Sequence, residues 1–312
     1  MRKEGKLNEQ NRLNLLEKVA ELRGTPLGAY NIRKNGQGVE RHSTENVTII
    51  PKTDKPGIDI IVKPNTKGEN VHIPVIVTDT GVQDMVYNDF EIGENADVVI
   101  IAGCGIHNCG CDDSEHNGIH RFFLRKGARL KYVEKHYGEG DGKGKRILNP
   151  VTIVNMDEDS YCEMETIQIK GVDSTKREMD ANLGKGAKIV VFEKLLTHGN
   201  QVAESNMKVV LEGENSSAQV VSRTVGQDNS KQKFNPCVIG DSLCSAHVQC
   251  DSIIMGNSQI SAIPEIAANH PDALLVHEAA IGKIAGDQIL KMMTLGLTEE
   301  EAEQQILNCF LK

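Results

Sequence analysis

Apolar residues open the chain at mixed spacings. Leu7, Leu13, Leu15, Leu16, Val19 and Leu22 form one broad face and predict an amphipathic helix over residues 7–23, stopped by Gly24 or Pro26. The polar, Gly- and Asn-rich stretch 24–46 reads as a loop with little regular structure. From about residue 47 the rhythm becomes that of strands: Val47–Ile50, Ile58–Val62 and His72–Val77 are short apolar runs bounded by turn residues. Pro74 argues against a central, fully hydrogen-bonded place for the last of these.

A loose repeat follows. Gly93-Glu-Asn-Ala-Asp-Val-Val, Lys126-Gly-Ala-Arg-Leu, Gly184-Lys-Gly-Ala-Lys-Ile-Val-Val and Gly213-Glu-Asn-Ser-Ser-Ala-Gln-Val-Val each place a Gly-containing turn and a small residue before a strand. Copies starting at Gly240 and Gly256 continue the series, and the widest gap has room for a degenerate copy around Asp157–Met164. This pattern predicts a β-helix-like solenoid in which rungs cover one another's apolar edges, with a β-sandwich as the plain alternative. Gly would supply the tight turn, and Ala would fit where a narrow coil leaves little lateral room.

Near the C-terminus the period returns to helical. Ile284, Ile289, Leu290 and Met293 predict a short helix ending at Gly296, and Thr298 with Glu301 forms a capping-box spacing for a second. The expected organisation is residues 1–46 as an N-terminal helix and loop, 47–279 as the β body, and 280–312 as a C-terminal helical region.

Composition narrows the function classes. The 312 residues are 39% hydrophobic but hold no Trp, five Tyr and six Phe, which suits a narrow core of Val, Ile, Leu and Ala. No apolar run approaches the roughly 18 residues of a membrane span, and the N-terminus lacks a signal-peptide apolar region, so a cytoplasmic protein is expected. There eight Cys read as thiols or metal ligands more readily than as disulfides. A formal charge of −9 disfavours nucleic acid, and the short basic cluster Lys143, Lys145 and Arg146 is diluted by Glu139 and Asp141. The chain has no GxxxxGK[ST], GxSxG or HExxH, and His277-Glu-Ala-Ala-Ile281 has Ile where a second zinc-binding His would stand. A small-molecule catalytic site is therefore not expected.

Two groups of soft ligands stand out. Cys104-Gly-Ile-His107-Asn-Cys109-Gly-Cys111, with His116 and His120 beyond it, could be a metal site, a reactive thiol site or plain packing and loop residues; its spacing is wrong for a zinc finger. The glycines flanking Cys104 could leave its sulfur approachable by a donor protein. The second group is Cys250-Asp251, Glu265, His270 and His277-Glu278. In a regular strand His277 and Glu278 point to opposite faces, and Cys250 there could equally be a buried small hydrophobe.

Four segments carry a family resemblance: GIHRFFLRKGARLKYVEKHYGEG (118–140), NPVTIVNMDEDSYCEMETIQIKGVDSTKRE (149–178), HVQCDSIIMG (247–256) and the long stretch IPEIAANHPDALLVHEAAIGKIAGDQILKMMTLGLTEEEAEQQILNCFL (263–311). With the rungs between them, the likeness runs over about 85–311. The chain resembles the SufB/SufD family, scaffold subunits of the SUF iron-sulfur cluster assembly system. The resemblance implies a right-handed parallel β-helix with a small C-terminal helical region, and a scaffold in place of an enzyme. It implies a SufC-like ABC ATPase docked on the C-terminal helices and a cysteine desulfurase or sulfur carrier as donor. By the same likeness Cys104 matches the persulfide-receiving cysteine. Cys250, His277 and Glu278 match interface residues that hold a transient iron-sulfur cluster. Retention of Cys250 and Glu278 points to SufB over SufD and to a homodimer. Bacterial SufB proteins are usually longer, and Cys109 and Cys111 with their His neighbours depart from them. The alternative is a structural or metal-binding interaction protein using the Cys/His cluster at 104–120.

Overall fold

In the computed structural model, residues 13–312 are described, apart from Arg23 and Thr25. The chain is a β-solenoid of about eight turns with strands over 58% of its length, flanked by helices near its two ends. A β-sandwich is thereby excluded: the two sheets are built from alternate strands of one continuous coil, and their successive members pair in parallel.

One sheet runs β5 (Lys67–Val77), β7 (Asp97–His107), β9 (Arg129–Glu139), β12 (Tyr161–Lys170), β14 (Lys188–Thr197), β16 (Ser217–Gly226), β18 (Ser245–Ile254) and β21 (Leu274–Gly282). The facing sheet runs β4 (Gly57–Val62), β6 (Gln83–Ile92), β8 (Ser114–Leu124), β10 and β11 (Arg146–Leu148 and Val151–Met156), β13 (Ser174–Leu183), β15 (Val202–Leu211) and β17 (Lys231–Gly240). It ends on β19 and β20 (Gln259–Ala262 and Glu265–Ala268). Asp97 pairs with Arg129 and Tyr161 with Lys188, so one full rung takes between 27 (188 − 161) and 32 (129 − 97) residues here.

Alternate residues of each strand point inward, and the rungs stack like residues on like. Ala96, Ala128, Ser160, Ala187, Ser216 and Cys244 are all buried, each a small side chain just before a strand. The degenerate copy anticipated near Asp157 is present as a turn with Asp159 at φ 58°, followed by β12. The repeat glycines divide: Gly127 and Gly256, at φ 65° and 66°, supply the tight turn as expected, whereas Gly93, Gly184 and Gly213 do not take that conformation. Left-handed φ falls two residues later, at Asn95, Gly186 and Asn215. A Cβ on Gly93 would instead lie 2.6 Å from the Val62 carbonyl oxygen, and one on Gly213 2.0 Å from the Lys185 nitrogen. These glycines make room for the turn of the preceding rung.

The N-terminal side is covered. Residues 13–20 form helix α1, and the part of the expected helix before residue 13 lies outside the described residues. The helix ends at Glu21, which takes φ 58° while Leu22 N–H donates to the Leu16 carbonyl, the bond of a Schellman stop. The expected loop at 24–46 is in fact a hairpin of β1 (Ala29–Lys34) and β2 (Gln37–His42). Asn35-Gly36, with φ of 47° and 80°, supplies the tight turn. β1 also pairs in parallel with β5, which makes β5 an interior strand despite Pro74. The β1–β5 register has partners at His72 and Val75 and none at Ile73 and Pro74, so proline sits where the ladder is interrupted. Antiparallel β3 (Val47–Pro51) closes the facing sheet at the same end.

At the other end α2 (Gly286–Met293) and α3 (Glu299–Phe310) follow β21. Thr298 and Glu301 form the expected capping box, and Gly296 at φ 99° turns the chain between the helices. Among the described residues no helix is long and apolar enough to cross a membrane.

Candidate functional site

Rung-to-rung register aligns chemistry that is far apart in sequence. Along one inward column of the first sheet, Ala102, Glu134, Thr166, Glu193, Ser222, Cys250 and Ala279 are successive Cα partners. In the neighbouring column Cys104 partners His136. Cys104 on β7 and Cys250 on β18 are five strand steps apart in this sheet, or about 24 Å at ~4.8 Å per step.

A hydrogen-bonded file of buried polar groups runs between these positions. The Asn88 amide lies 3.5 Å from His120 Nε2, and His120 Nδ1 lies 2.9 Å from the Tyr132 hydroxyl. That hydroxyl donates to Glu134 at 3.3 Å, and His136 Nε2 is 3.6 Å from the same carboxylate. Arg177 reaches across from β13, placing Nη2 3.4 Å from His136 Nδ1 and donating from Nη1 to Glu193 at 2.9 Å. Ser222 then donates to the other Glu193 oxygen at 2.8 Å.

Small cavities lie at both ends. One, of about 20 Å³, is lined by Cys104, His116, His120, Glu134 and His136. The other, of about 10 Å³, is lined by Glu193, Ser222, Cys250 and Ser252, with Ser205 and Gln232 across from them. Each has room for about one water-sized atom. Ser205 Oγ and Gln232 Oε1 are buried at the second cavity without a protein partner, and so is Arg177 Nε within the file.

Ionisation follows from this burial. Burial works against the Glu134 carboxylate, but His136, His120 and Arg177 outweigh it and hold the group well below the usual carboxylate range. Burial pushes His120 down to about 4, so its ring is neutral and keeps a lone pair. The Cys104 thiol is driven far up by burial, reinforced by Asp84 and Glu134. Cys250 is pushed up to about 12 by burial, then by Glu193 and Asp251.

Of the residues singled out from sequence, Cys250 and His277 meet: Sγ lies 3.3 Å from Nε2 across adjacent strands. Burial and then His247 push the His277 ring below its ordinary value, which favours its neutral form. Glu278 is not brought to them. It lies on the opposite face of β21, largely exposed, with Oε2 3.5 Å from His247 Nε2. Cys104 is 3% exposed, contrary to the idea that flanking glycines bare its sulfur. A Cβ on Gly103 would lie 2.4 Å from the Val19 carbonyl oxygen and one on Gly105 3.0 Å from the Leu15 side chain. Those glycines seat α1.

The group at 104–120 also divides. His116 binds Asp84, itself held by Arg33, and His120 joins the buried file, whereas Cys109 and Cys111 are exposed. Among the described residues no group of three or more His, Cys, Asp or Glu is arranged to hold a metal ion. Glu134, His136, Arg177, Glu193 and Ser222 were missed in the sequence. Their signal was a polar residue at an inward strand position, as in Val190-Val-Phe-Glu193-Lys-Leu, repeated in register one rung later.

A cysteine beside an imidazole at one end of a buried polar file suits soft-metal and sulfur chemistry, and comparison with known proteins agrees. Residues 77–310 match the family model described as "SUF system FeS cluster assembly, SufBD core domain". An "iron-sulfur cluster assembly SufBD family protein" of Archaeoglobus fulgidus is 30% identical over 78% of this chain and 66% of its own length. One from Methanothermobacter thermautotrophicus is 30% identical over 76% of the chain and 57% of its own length. A third, from Methanocaldococcus jannaschii, is 27% identical over 80% and 78%. The chain thus spans less than two thirds of the first two of these relatives. The solenoid, the inward cysteines and the match over 77–310 converge: this chain belongs to the SufBD family of iron-sulfur cluster assembly proteins.

Proposed function

We propose that the chain is a SufB-like scaffold in the cytoplasm, on which sulfur and iron are joined into a transient cluster for transfer. The observation that carries this reading is the Cys250–His277 contact at the uncovered end of a buried polar file whose other end holds Cys104. Cys104 is the interior persulfide-bearing position, supplied from a cysteine desulfurase or sulfur carrier. Cys250 supplies a thiolate once iron displaces its proton, and His277 supplies a nitrogen. Among the described residues of one chain only these two donors lie side by side, and clusters are commonly held by four. A second copy is therefore required.

The open end supports a homodimer. Every residue of β21 is exposed or half-buried, with Leu274, Val276 and Ile281 outward-facing or bare. An unpaired edge of this kind is a template for another strand. Glu278, on the outer face of the same strand, is then an interface carboxylate able to reach a cluster shared by two copies. The C-terminal helices suit an ATPase partner: α2 buries none of its residues and Leu290, Met293 and Leu295 are exposed, while α3 buries only Ala302 and Leu307.

Anaerobic reconstitution with iron and sulfide tests this. Cys250→Ser keeps the far-ultraviolet dichroism and loses cluster absorption, at a stability cost of ~1–3 kcal/mol from its buried hydroxyl. His277→Ala and Glu278→Ala weaken cluster retention more than dimer mass. Full cluster loading in folded Cys250→Ser would overturn the assignment.

A further inference from the structure

The exposed pair Cys109 and Cys111 stands outside the interior file and lies on a loop with its own construction. Asn108, fully buried, donates to the Asp112 carbonyl at 2.9 Å and accepts from Gly110 N–H at 3.0 Å. The glycine-rich run 138–144 packs directly on this loop. Gly142 N–H donates to the Asn108 carbonyl and Gly144 N–H to that of Gly110, each at 3.1 Å. A Cβ on Gly142 would stand 2.4 Å from the Gly110 oxygen, and one on Gly144 2.0 Å from the Asp112 oxygen. The loop is held in one shape.

That shape presents a nucleophile with a base and an orienting acid. Cys109 Sγ lies 3.1 Å from His107 Nε2, and His107 Nδ1 lies 3.2 Å from Glu139 Oε1. His107 and Glu139 are Cα partners on the outer face of β7 and β9. The carboxylate is fixed in turn: Lys18 of α1 and the Tyr137 hydroxyl both donate to Oε2, at 2.6 and 3.1 Å, leaving Oε1 for the imidazole. Burial opposes the charge on Glu139, but Lys18, His107 and Tyr137 together hold it below its ordinary value. Thiol, imidazole and carboxylate in this order are the arrangement that activates a thiol, the imidazole removing its proton while the carboxylate fixes ring and tautomer.

We propose that Cys109 is a surface sulfur acceptor, with His107 as its base and Glu139 as the positioning residue, and that its substrate is the terminal sulfur of a persulfide. The inference rests on the reading of the chain as a sulfur-receiving scaffold and identifies where sulfur first lands. Buried Cys104, packed under α1, cannot meet a large donor, whereas Cys109 is exposed. In the step His107 takes the Cys109 proton and Sγ attacks the outer sulfur of the donor, R–S–SH. The donor S–S bond breaks, its thiolate takes the proton from His107, and the products are Cys109–S–SH and R–SH. No external oxidant or reductant is consumed.

The test uses the full chain and glutathione persulfide under anaerobic conditions, with the added sulfur localised by peptide mass spectrometry at early times. Sulfur is expected at Cys109 before Cys104, Cys111 or exposed Cys309. In H107Q the transfer rate at Cys109 falls by about 100-fold, while labelling of Cys309 is unchanged. E139Q shifts the pH profile of Cys109 labelling and leaves that of Cys309 alone, which a merely structural carboxylate would not do. First labelling at another cysteine, or an unchanged Cys109 rate in folded H107Q, overturns the proposal. Cluster loading at Cys250 is measured separately on C109S with supplied iron and sulfide. A failure of the scaffold reading appears in that measurement, and a failure of the acceptor assignment appears in the labelling.

Discussion

The two ends of the solenoid carry cysteines of similar burial in opposite settings. At the N-terminal side Cys104 lies under a sheet that α1 and the β1–β2 hairpin cover, and Gly103 and Gly105 let the helix touch the strand backbone. At the C-terminal side Cys250 lies one strand from a bare edge, and its neighbour His277 is half-buried. A solenoid needs a cap wherever its last rung would expose apolar surface and unpaired backbone. One end has that cap within the described residues, and the other leaves its last rung and most of two amphipathic helices uncovered. The difference teaches that the closed end is arranged for stability, and that the open end leaves the surface on which the proposed assembly would take place.

The strongest way to break this comparison is to cut what joins the two ends. Arg177→Met removes the cation that compensates buried Glu193, whose side chain is 2% exposed. A loss of about 3–5 kcal/mol is expected in chemical denaturation. Adding Glu193→Gln restores part of it, because the stranded charge is then gone. A single variant as stable as the parent would mean the file is not electrostatically coupled.

The next effect sharpens the description of the Cys104 end. His120 sits at about 4 when folded and at its ordinary 6.5 when unfolded. Below 6.5 the unfolded chain takes up a proton that the folded chain refuses. This contribution to stability is therefore present above 6.5 and lost as the pH falls toward 4, up to about 3 kcal/mol. Denaturation at several pH values should give a shallower decline for His120→Asn than for the parent across that window. Equal slopes would show that His120 is not the group responsible.

The smallest effects compare the ends directly. Gly103→Ala drives a Cβ toward the Val19 carbonyl and is expected to cost about 1–3 kcal/mol as α1 is displaced. Gly282→Ala, at the last residue of β21 with nothing within 4 Å of its added carbon, is expected to stay within about 0.5 kcal/mol. Thermal unfolding of both variants decides. Comparable costs would remove the contrast between a covered and an open end.

Local patterning in the sequence was enough for much of this architecture. Alternation in strands such as β14, small residues before each strand and a capping box at Thr298 are short-range signals, and each is legible without the fold. The family match rested on the same contiguous segments. The Asn35-Gly36 hairpin was equally local and was overlooked inside a polar stretch.

What only the tertiary structure decided is register. Whether Glu193 points at solvent or at Arg177, and whether Cys250 meets His277 or Glu278, depends on how each rung of 27 to 32 residues settles on the one before. The side-chain period in a strand is two, so one residue of slip exchanges the faces. Irregular turn lengths conceal that alignment in a linear reading. The sequence alone therefore determined a coil with sulfur and nitrogen ligands along it. Stacking placed some of them in one buried file, left Glu278 outside, and set Glu139 against His107, whose ring the local loop brings to Cys109 at the surface.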